Sequence, residues 1–164
     1  KLILLVFALV LVSGVAHADD YQFNANKEWE NSLLVGFKSF DKDYIKDSGT
    51  VGLRFQKRIG YPFLAGFEAE ASIIGNIGYI RAGIPFSVRI PMPVERTKLD
   101  VTLSPGGVYA TNLDTNVKEL GGAATAGLEA KYFFKSGYSF GIGAYYTVTT
   151  NKLNNFNIVA VFGF

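Results

Sequence analysis

The chain has 164 residues, with 16 Lys and Arg against 14 Asp and Glu, and no cysteine. That length fits one domain, the net charge of +2 gives no nucleic-acid footprint, and the missing cysteine excludes a disulfide scaffold. Eighteen glycines beside 15% aromatic residues suit a small barrel, with rings on one face and glycine where the other is crowded.

Residues 2–12 are an unbroken apolar run, preceded by Lys1 and followed by Ser13-Gly14-Val15-Ala16-His17-Ala18. The run is too short to span a bilayer, which takes about 20 apolar residues. Ala16-His17-Ala18 is a small-x-small cleavage pattern, so residues 1–18 read as a secretory signal peptide and mature protein is expected from near Asp19. Residues 19–30 show no clear strand period and read as an N-terminal leader, with an extension of the first strand as the alternative. Trp29, the one tryptophan, suits an interfacial anchor.

From residue 31 to 164 the chain predicts eight alternating segments, each near the 9–11 residues or so that a tilted transmembrane strand needs. Asn31–Phe40 sets Leu33, Val35 and Phe37 against Ser32, Gly36 and Lys38. Gly49–Arg58 sets Val51, Leu53 and Phe55 against Gly52, Arg54 and Gln56. Phe63–Ser72 sets Phe63, Ala65, Phe67, Ala69 and Ala71 against Gly66, Glu68 and Glu70. Ile77–Ile90 sets Ile80, Ala82, Ile84, Phe86 and Val88 against Arg81, Gly83, Ser87 and Arg89. Lys98–Tyr109 sets Leu99, Val101 and Leu103 against Asp100, Thr102 and Ser104. Pro85 and Pro105 mark a bulge or a strand end, since proline cannot donate to the ladder. Gly122–Phe133 sets Ala126, Leu128, Ala130 and Tyr132 against Thr125, Gly127, Glu129 and Lys131. Tyr138–Thr149 sets Phe140, Ile142, Ala144, Tyr146 and Val148 against Gly141, Gly143, Tyr145 and Thr147. The last segment, Asn155–Phe164, carries Phe156, Ile158, Ala160, Phe162 and Phe164 on one face.

Two hairpins predict a register. Pairing symmetrically about Ile73-Ile74-Gly75-Asn76 sets Glu68 opposite Arg81, Glu70 opposite Tyr79 and Gly66 opposite Gly83. A three-residue loop at Lys135-Ser136-Gly137 sets Glu129 opposite Gly143, Lys131 opposite Gly141 and Gly127 opposite Tyr145.

Alternation alone does not say which face is inside. Three features place the apolar face outside. Glycine recurs on the polar face, where a narrow bore needs room and bulk water does not. Aromatics crowd the strand ends, at Phe40, Tyr61, Phe63, Tyr109, Tyr132, Phe133, Tyr138, Phe162 and Phe164, as in an interfacial girdle. The apolar face is almost free of charge, with Lys57 as the exception at a strand end. The polar face would then line a lumen in which Lys38, Arg54, Glu68, Glu70, Arg81, Arg89, Asp100, Glu129 and Lys131 form a charge network. Charges in a narrow lumen must pair, or desolvation costs several kcal/mol per ion.

His17 is the only histidine and falls in the segment expected to be cleaved. Histidine-based acid–base schemes, cysteine nucleophiles and the usual transition-metal ligands are thereby removed. Glu68 and Glu70 remain as a formal carboxylate pair, which the interior salt network explains without catalysis. No catalytic residue, metal or cofactor is expected. Asp41, Asp43 and Asp47 lack the glycine-bearing spacing of a calcium loop.

The alternating segments, the Ala16-His17-Ala18 pattern and the terminal Phe156-x-Ile158-x-Ala160-x-Phe162-x-Phe164 together resemble the small eight-stranded outer-membrane proteins: the OmpA transmembrane domain, OmpX and the opacity-type class. The resemblance covers nearly all of residues 19–164 and implies an all-β, antiparallel, up-and-down transmembrane barrel. It implies that Phe156, Ile158, Phe162 and Phe164 form the signal read by the barrel-assembly machinery. It also implies a monomer among outer-membrane lipid and lipopolysaccharide, with residues 19–30 in the periplasm. External connections would be Asp41–Ser48, Ile73–Asn76, Thr111–Gly121 and Thr150–Asn154, short beside those of adhesins in the class. Periplasmic ones would be Ile59–Pro62, Pro91–Thr97 and Phe134–Gly137. The enzymes that resemble this architecture all use a histidine. The expectation is a non-enzymatic barrel with a charged, mostly filled lumen that contributes to envelope structure. The alternatives are a small porin-like channel and a soluble periplasmic barrel that binds an apolar ligand.

Overall fold

The structure, a computed structural model, describes residues 29–41, 48–74, 77–112 and 118–164. The expected signal peptide, most of the leader and the charged tip 42–47 lie outside the described residues. Nine strand segments follow one another: β1 Trp29–Phe40, β2 Ser48–Gly60, β3 Phe63–Ile74, β4 Ile77–Gly83, β5 Phe86–Pro91, β6 Thr97–Asn112, β7 Lys118–Phe133, β8 Ser139–Thr149 and β9 Asn155–Gly163. Every pairing is antiparallel, and β1 pairs with both β2 and β9, so the sheet closes and leaves no edge.

β4 and β5 are one barrel strand. Both pair with β3 and β6, and the register runs unbroken across the gap, from Glu68↔Gly83 to Ala65↔Phe86 on one side and from Gly83↔Gly106 to Phe86↔Leu103 on the other. Two prolines cause the interruption. The Ile84 amide donates to the Pro105 carbonyl at 2.9 Å and the Gly66 amide to the Pro85 carbonyl at 3.1 Å. Each antiparallel pair of this type normally exchanges two bonds, and in both the reciprocal donor is a proline nitrogen. The ladder therefore loses two bonds side by side, and the barrel has eight strands.

The register also fixes the cylinder. Partner to partner, Ser39 leads through Phe156, Tyr146, Ala126, Leu103, Phe86, Ala65 and Lys57 to Trp29. One circuit thus returns to β1 ten residues lower, from 39 to 29. With ordinary strand spacings this stagger tilts the strands by about 40° and sets a backbone radius of about 8 Å. Such a bore is tight, and glycine lets neighbouring backbones close in. A Cβ on Gly36, Gly66 or Gly106 would sit 2.0, 1.8 or 2.0 Å from the carbonyl oxygen of the preceding barrel strand. These three close approaches fall on alternate strands, where glycine lets the sheet curl tightly into a barrel.

Two connections differ from the sequence reading. The β3–β4 hairpin is tighter than expected: Ile73↔Gly78 and Ile74↔Ile77 still pair, so Glu70, not Glu68, faces Arg81, and Glu68 faces Gly83. The slip is two residues, which preserves which side chains point inward. The β6–β7 hairpin is taller than expected, with Thr111↔Lys118 paired, and it lifts Leu120 into an exposed position. The β7–β8 hairpin has the expected register, including Glu129↔Gly143 and Gly127↔Tyr145, and Gly137 takes the left-handed turn position at φ 87°. The upper rim carries the β1–β2, β3–β4, β6–β7 and β8–β9 connections. The lower rim carries Trp29 and the other three.

Candidate functional site

The greasy face is outside. Phe67, Ile84 and Leu128 are 58%, 54% and 51% exposed, and the same face of every strand follows them. Among the described outward-facing strand positions the only charges are Lys57, at the lower rim, and Lys118, at the tip of the tall hairpin. Trp29, Phe63, Tyr132, Phe134, Tyr138, Phe140 and Phe164 ring the lower rim from outside. Phe40 and Phe133, expected in the girdle, instead point into the bore, because they fall on the inward parity of β1 and β7. This is the reverse of a soluble ligand-binding barrel, and it overturns that alternative.

Inside lies a chain of ion pairs with alternating sign. Starting near the upper rim, Lys38 pairs with Glu70, and Glu70 also takes Arg81 Nε at 3.1 Å. Arg81 Nη2 reaches Glu68 at 2.6 Å, and Glu68 takes Arg54 Nε at 2.7 Å. Arg54 then crosses the bore to Glu129, while its other amino group donates to the Tyr145 hydroxyl at 3.1 Å. Glu129 meets Lys131 at 2.7 Å, and Lys131 continues to Asp100 at 3.1 Å. Asp100 accepts both forks of Arg89, at 2.7 and 2.6 Å, the bidentate geometry that only a guanidinium offers.

All nine residues expected in the lumen network are brought into this one assembly. The sequence reading missed a tenth, Glu30. Its carboxylate lies 2.7 Å from Arg89 and 2.9 Å from Lys131. β1 begins at Trp29, two residues before the apolar alternation becomes visible, and that extension carries Glu30 to the inward face. With it the assembly traced through these ion pairs holds, among the described residues, five cations and five anions. Glu30 was legible only as the missing charge in a set of five bases and four acids.

The packing leaves little free space. Lys38 and Glu129 are 0% exposed, Lys131 1% and Arg54 2%. Glycine makes room for the larger groups: a Cβ on Gly127 would lie 2.0 Å from a Tyr145 ring carbon, and one on Gly141 would meet the Lys131 stem at 2.9 Å. Between the Arg81 and Arg89 levels of the same barrel strand, Ser87 links Gln56 and Thr102, each at 2.8 Å. Phe133 lies under Arg89, with the guanidinium 4.9 Å from the ring centre. Leu34, Tyr145, Val159 and Val161 fill the remaining wall. Phe156, Ile158 and Phe162 point outward along β9. Phe164 lies just beyond it, its amide donating to the Asn31 carbonyl at 2.9 Å. Asp41 accepts a hydrogen bond from the Tyr146 hydroxyl at 2.6 Å, while Asp43 and Asp47 lie outside the described residues.

The fold is that of the small eight-stranded outer-membrane barrels. The N-terminal β-barrel domain of Pseudomonas aeruginosa OprF matches with a TM-score of 0.64 at 12% identity, over 82% of this chain and 97% of that one. Neisserial surface protein A (NspA) matches at 0.64 and 7%, over 82% and 94%. The outer membrane enzyme PagL matches at 0.51 and 12%, over 82% and 97%. At these identities the likeness is one of fold, and the fold by itself does not separate an enzyme from a non-enzyme. No family model and no curated protein matches the chain in sequence.

Proposed function

We propose that this chain is a non-enzymatic outer-membrane barrel whose filled, self-neutralised bore makes it a structural component of the envelope rather than a channel. The observation that carries the reading is the combination of a charge-free belt outside with five-against-five pairing inside. A belt without charge is stable only against hydrocarbon, where a charged side chain at mid-depth costs about 2–4 kcal/mol. A bore packed with buried, mutually paired ions supports a closed lumen rather than a water-filled one. Glu68 and Glu70, the formal carboxylate pair, are each held by two cations, so neither is poised for proton transfer.

On this reading the protein is exported by its leading segment, inserted as a monomer by the barrel-assembly machinery, and surrounded by phospholipid and lipopolysaccharide. Phe156, Ile158, Phe162 and Phe164 serve as the assembly signal. The test has two arms. The protein should fractionate with the outer membrane and show heat-modifiable gel mobility, and planar bilayers should record no discrete conductance. Steady single-channel currents from pure protein would replace this reading with the porin-like one. For the assembly signal, Phe164→Ala should lower the amount inserted in cells severalfold while leaving detergent-refolded barrel folded. Equal insertion would remove Phe164 from that role.

A further inference from the structure

The upper end of the bore is closed by apolar groups rather than by charge. Phe40, Tyr79, Val108, Ala110 and Leu153 form one buried cluster, with Phe40 and Tyr79 edge to face at 5.6 Å. Leu153 comes from the β8–β9 turn, not from a strand. Three hydrogen bonds staple the turn so that this side chain points inward. The Leu153 amide donates to Thr149 Oγ1 at 2.7 Å, the Thr149 amide to Asn154 Oδ1 at 2.9 Å, and Asn155 Nδ2 to the Leu153 carbonyl at 3.0 Å.

Beneath this lid, four buried oxygens have no hydrogen-bond partner among the described residues: Ser48 Oγ, Ser72 Oγ, Asn155 Oδ1 and Asn157 Oδ1. All four residues are more than nine-tenths buried. The register gathers them on one arc of the wall. Ser48 and Asn157 flank Lys38 on either side, Asn155 pairs with Phe40, and Ser72 pairs with Tyr79. Buried acceptors without donors are rare in folded proteins, and ordered water is their usual partner. The Lys38 ammonium beside them supplies further donors and repels metal cations, so the occupant that fits is water.

We infer that a small sealed water cluster lies just beneath this lid at the top of the bore, joining Ser48, Ser72, Asn155 and Asn157 around Lys38, and that Leu153 is the stopper. The floor is the Lys38–Glu70–Arg81 cluster, so lifting the stopper admits water from above without opening the barrel through. The inference concerns the barrel once folded in lipid and stands apart from its envelope role.

The chain has no cysteine, so Ser48→Cys introduces a single reporter thiol. In nanodiscs, a small water-soluble methanethiosulfonate should modify it at least 100-fold more slowly than a thiol at the exposed position of Lys135→Cys. Adding Leu153→Gly, or Leu153→Ala if the glycine variant loses heat-modifiable mobility, should raise the Ser48→Cys rate at least tenfold. Equal rates at the two positions with the stopper intact would overturn the seal. A rate unmoved by removing Leu153 would overturn its role as stopper. Hydration is read on the unaltered protein by water-to-amide magnetisation transfer. Strong transfer to the Asn155 and Asn157 side-chain amides is expected, and its absence would overturn the water cluster.

Discussion

Replacing Arg54 by methionine removes the cation that joins the upper and lower halves of the ion-pair chain. Arg54 pairs with Glu68 at 2.7 Å and with Glu129, and it donates to Tyr145 at 3.1 Å. Removing one partner of a buried ion pair costs about 3–5 kcal/mol, because a charge is left without compensation. Glu68 keeps Arg81 at 2.6 Å and Glu129 keeps Lys131 at 2.7 Å, so the low end applies. Methionine replaces most of the buried stem, so lost packing adds little. The expected loss is about 3 kcal/mol, roughly a 100-fold drop in the folding equilibrium constant. Urea unfolding in lipid vesicles, followed by the fluorescence of the one tryptophan and by gel mobility, gives the number. The double variant Arg54→Met/Glu129→Gln restores four cations against four anions and should recover about 1–2 kcal/mol of it. A single-variant loss below about 1 kcal/mol, or a double variant no more stable than the single, would refute the claim that pairing rather than volume governs the bore.

Three other outcomes follow from the same geometry. Glu30→Gln leaves Arg89 and Lys131 in a bore with one excess positive charge and should cost about 1–3 kcal/mol in the same unfolding assay. If Glu30 belonged to an unstructured leader, the cost would be nil. Gly127→Ala forces a methyl against the Tyr145 ring and should cost about 1–3 kcal/mol, relieved when Tyr145→Leu is added; a second change that brings no relief would show that the strain lies elsewhere. Pro85→Val with Pro105→Val returns both missing ladder donors, so amide exchange at Gly66 and Ile84 should slow at least tenfold; unchanged exchange would mean that the gap is not caused by the prolines.

Most of the architecture was legible because a barrel in lipid writes its period-two pattern on every strand; parity separates the two faces, and glycine, ring placement and the charge-free face say which of them is outside. What parity does not carry was missed. Phe40 and Phe133 looked like girdle rings because strand ends attract aromatics, yet their positions put them on the inner face as caps for the two ends of the bore. Glu30 was hidden because the outward partner of its segment, Trp29, gives too short a pattern to read as a strand. The four unpaired oxygens were invisible because Ser and Asn on an inner face look alike whether or not donors reach them. Both Pro85 and Pro105 read as a bulge or a strand end from sequence; that they interrupt the ladder side by side depends on which residue faces which across the sheet, and only the register supplies that.

The β3–β4 hairpin shows what the ion pairs contribute beyond stability. The described outward residues of β3 and β4 are all apolar or glycine, so they cannot distinguish the observed register from one slipped by two residues. Such a slip keeps every side chain on its correct face. Its cost falls on the bore. In the observed register Glu70 sits opposite Arg81, within reach of Lys38 as well, and Glu68 lies between Arg81 and Arg54. Slipped by two, as symmetrical pairing about Ile73–Asn76 would have it, Glu68 faces Arg81 and Tyr79 takes the place beside Glu70. The spacing that lets each acid bridge two cations is then lost. Buried charges left without partners cost several kcal/mol each, far more than one hairpin hydrogen bond. The charge chain therefore specifies strand register in a protein whose lipid-facing surface cannot, and the same argument accounts for bidentate arginines at Arg89 and paired contacts at Arg54 and Arg81, where lysine would tolerate a slip.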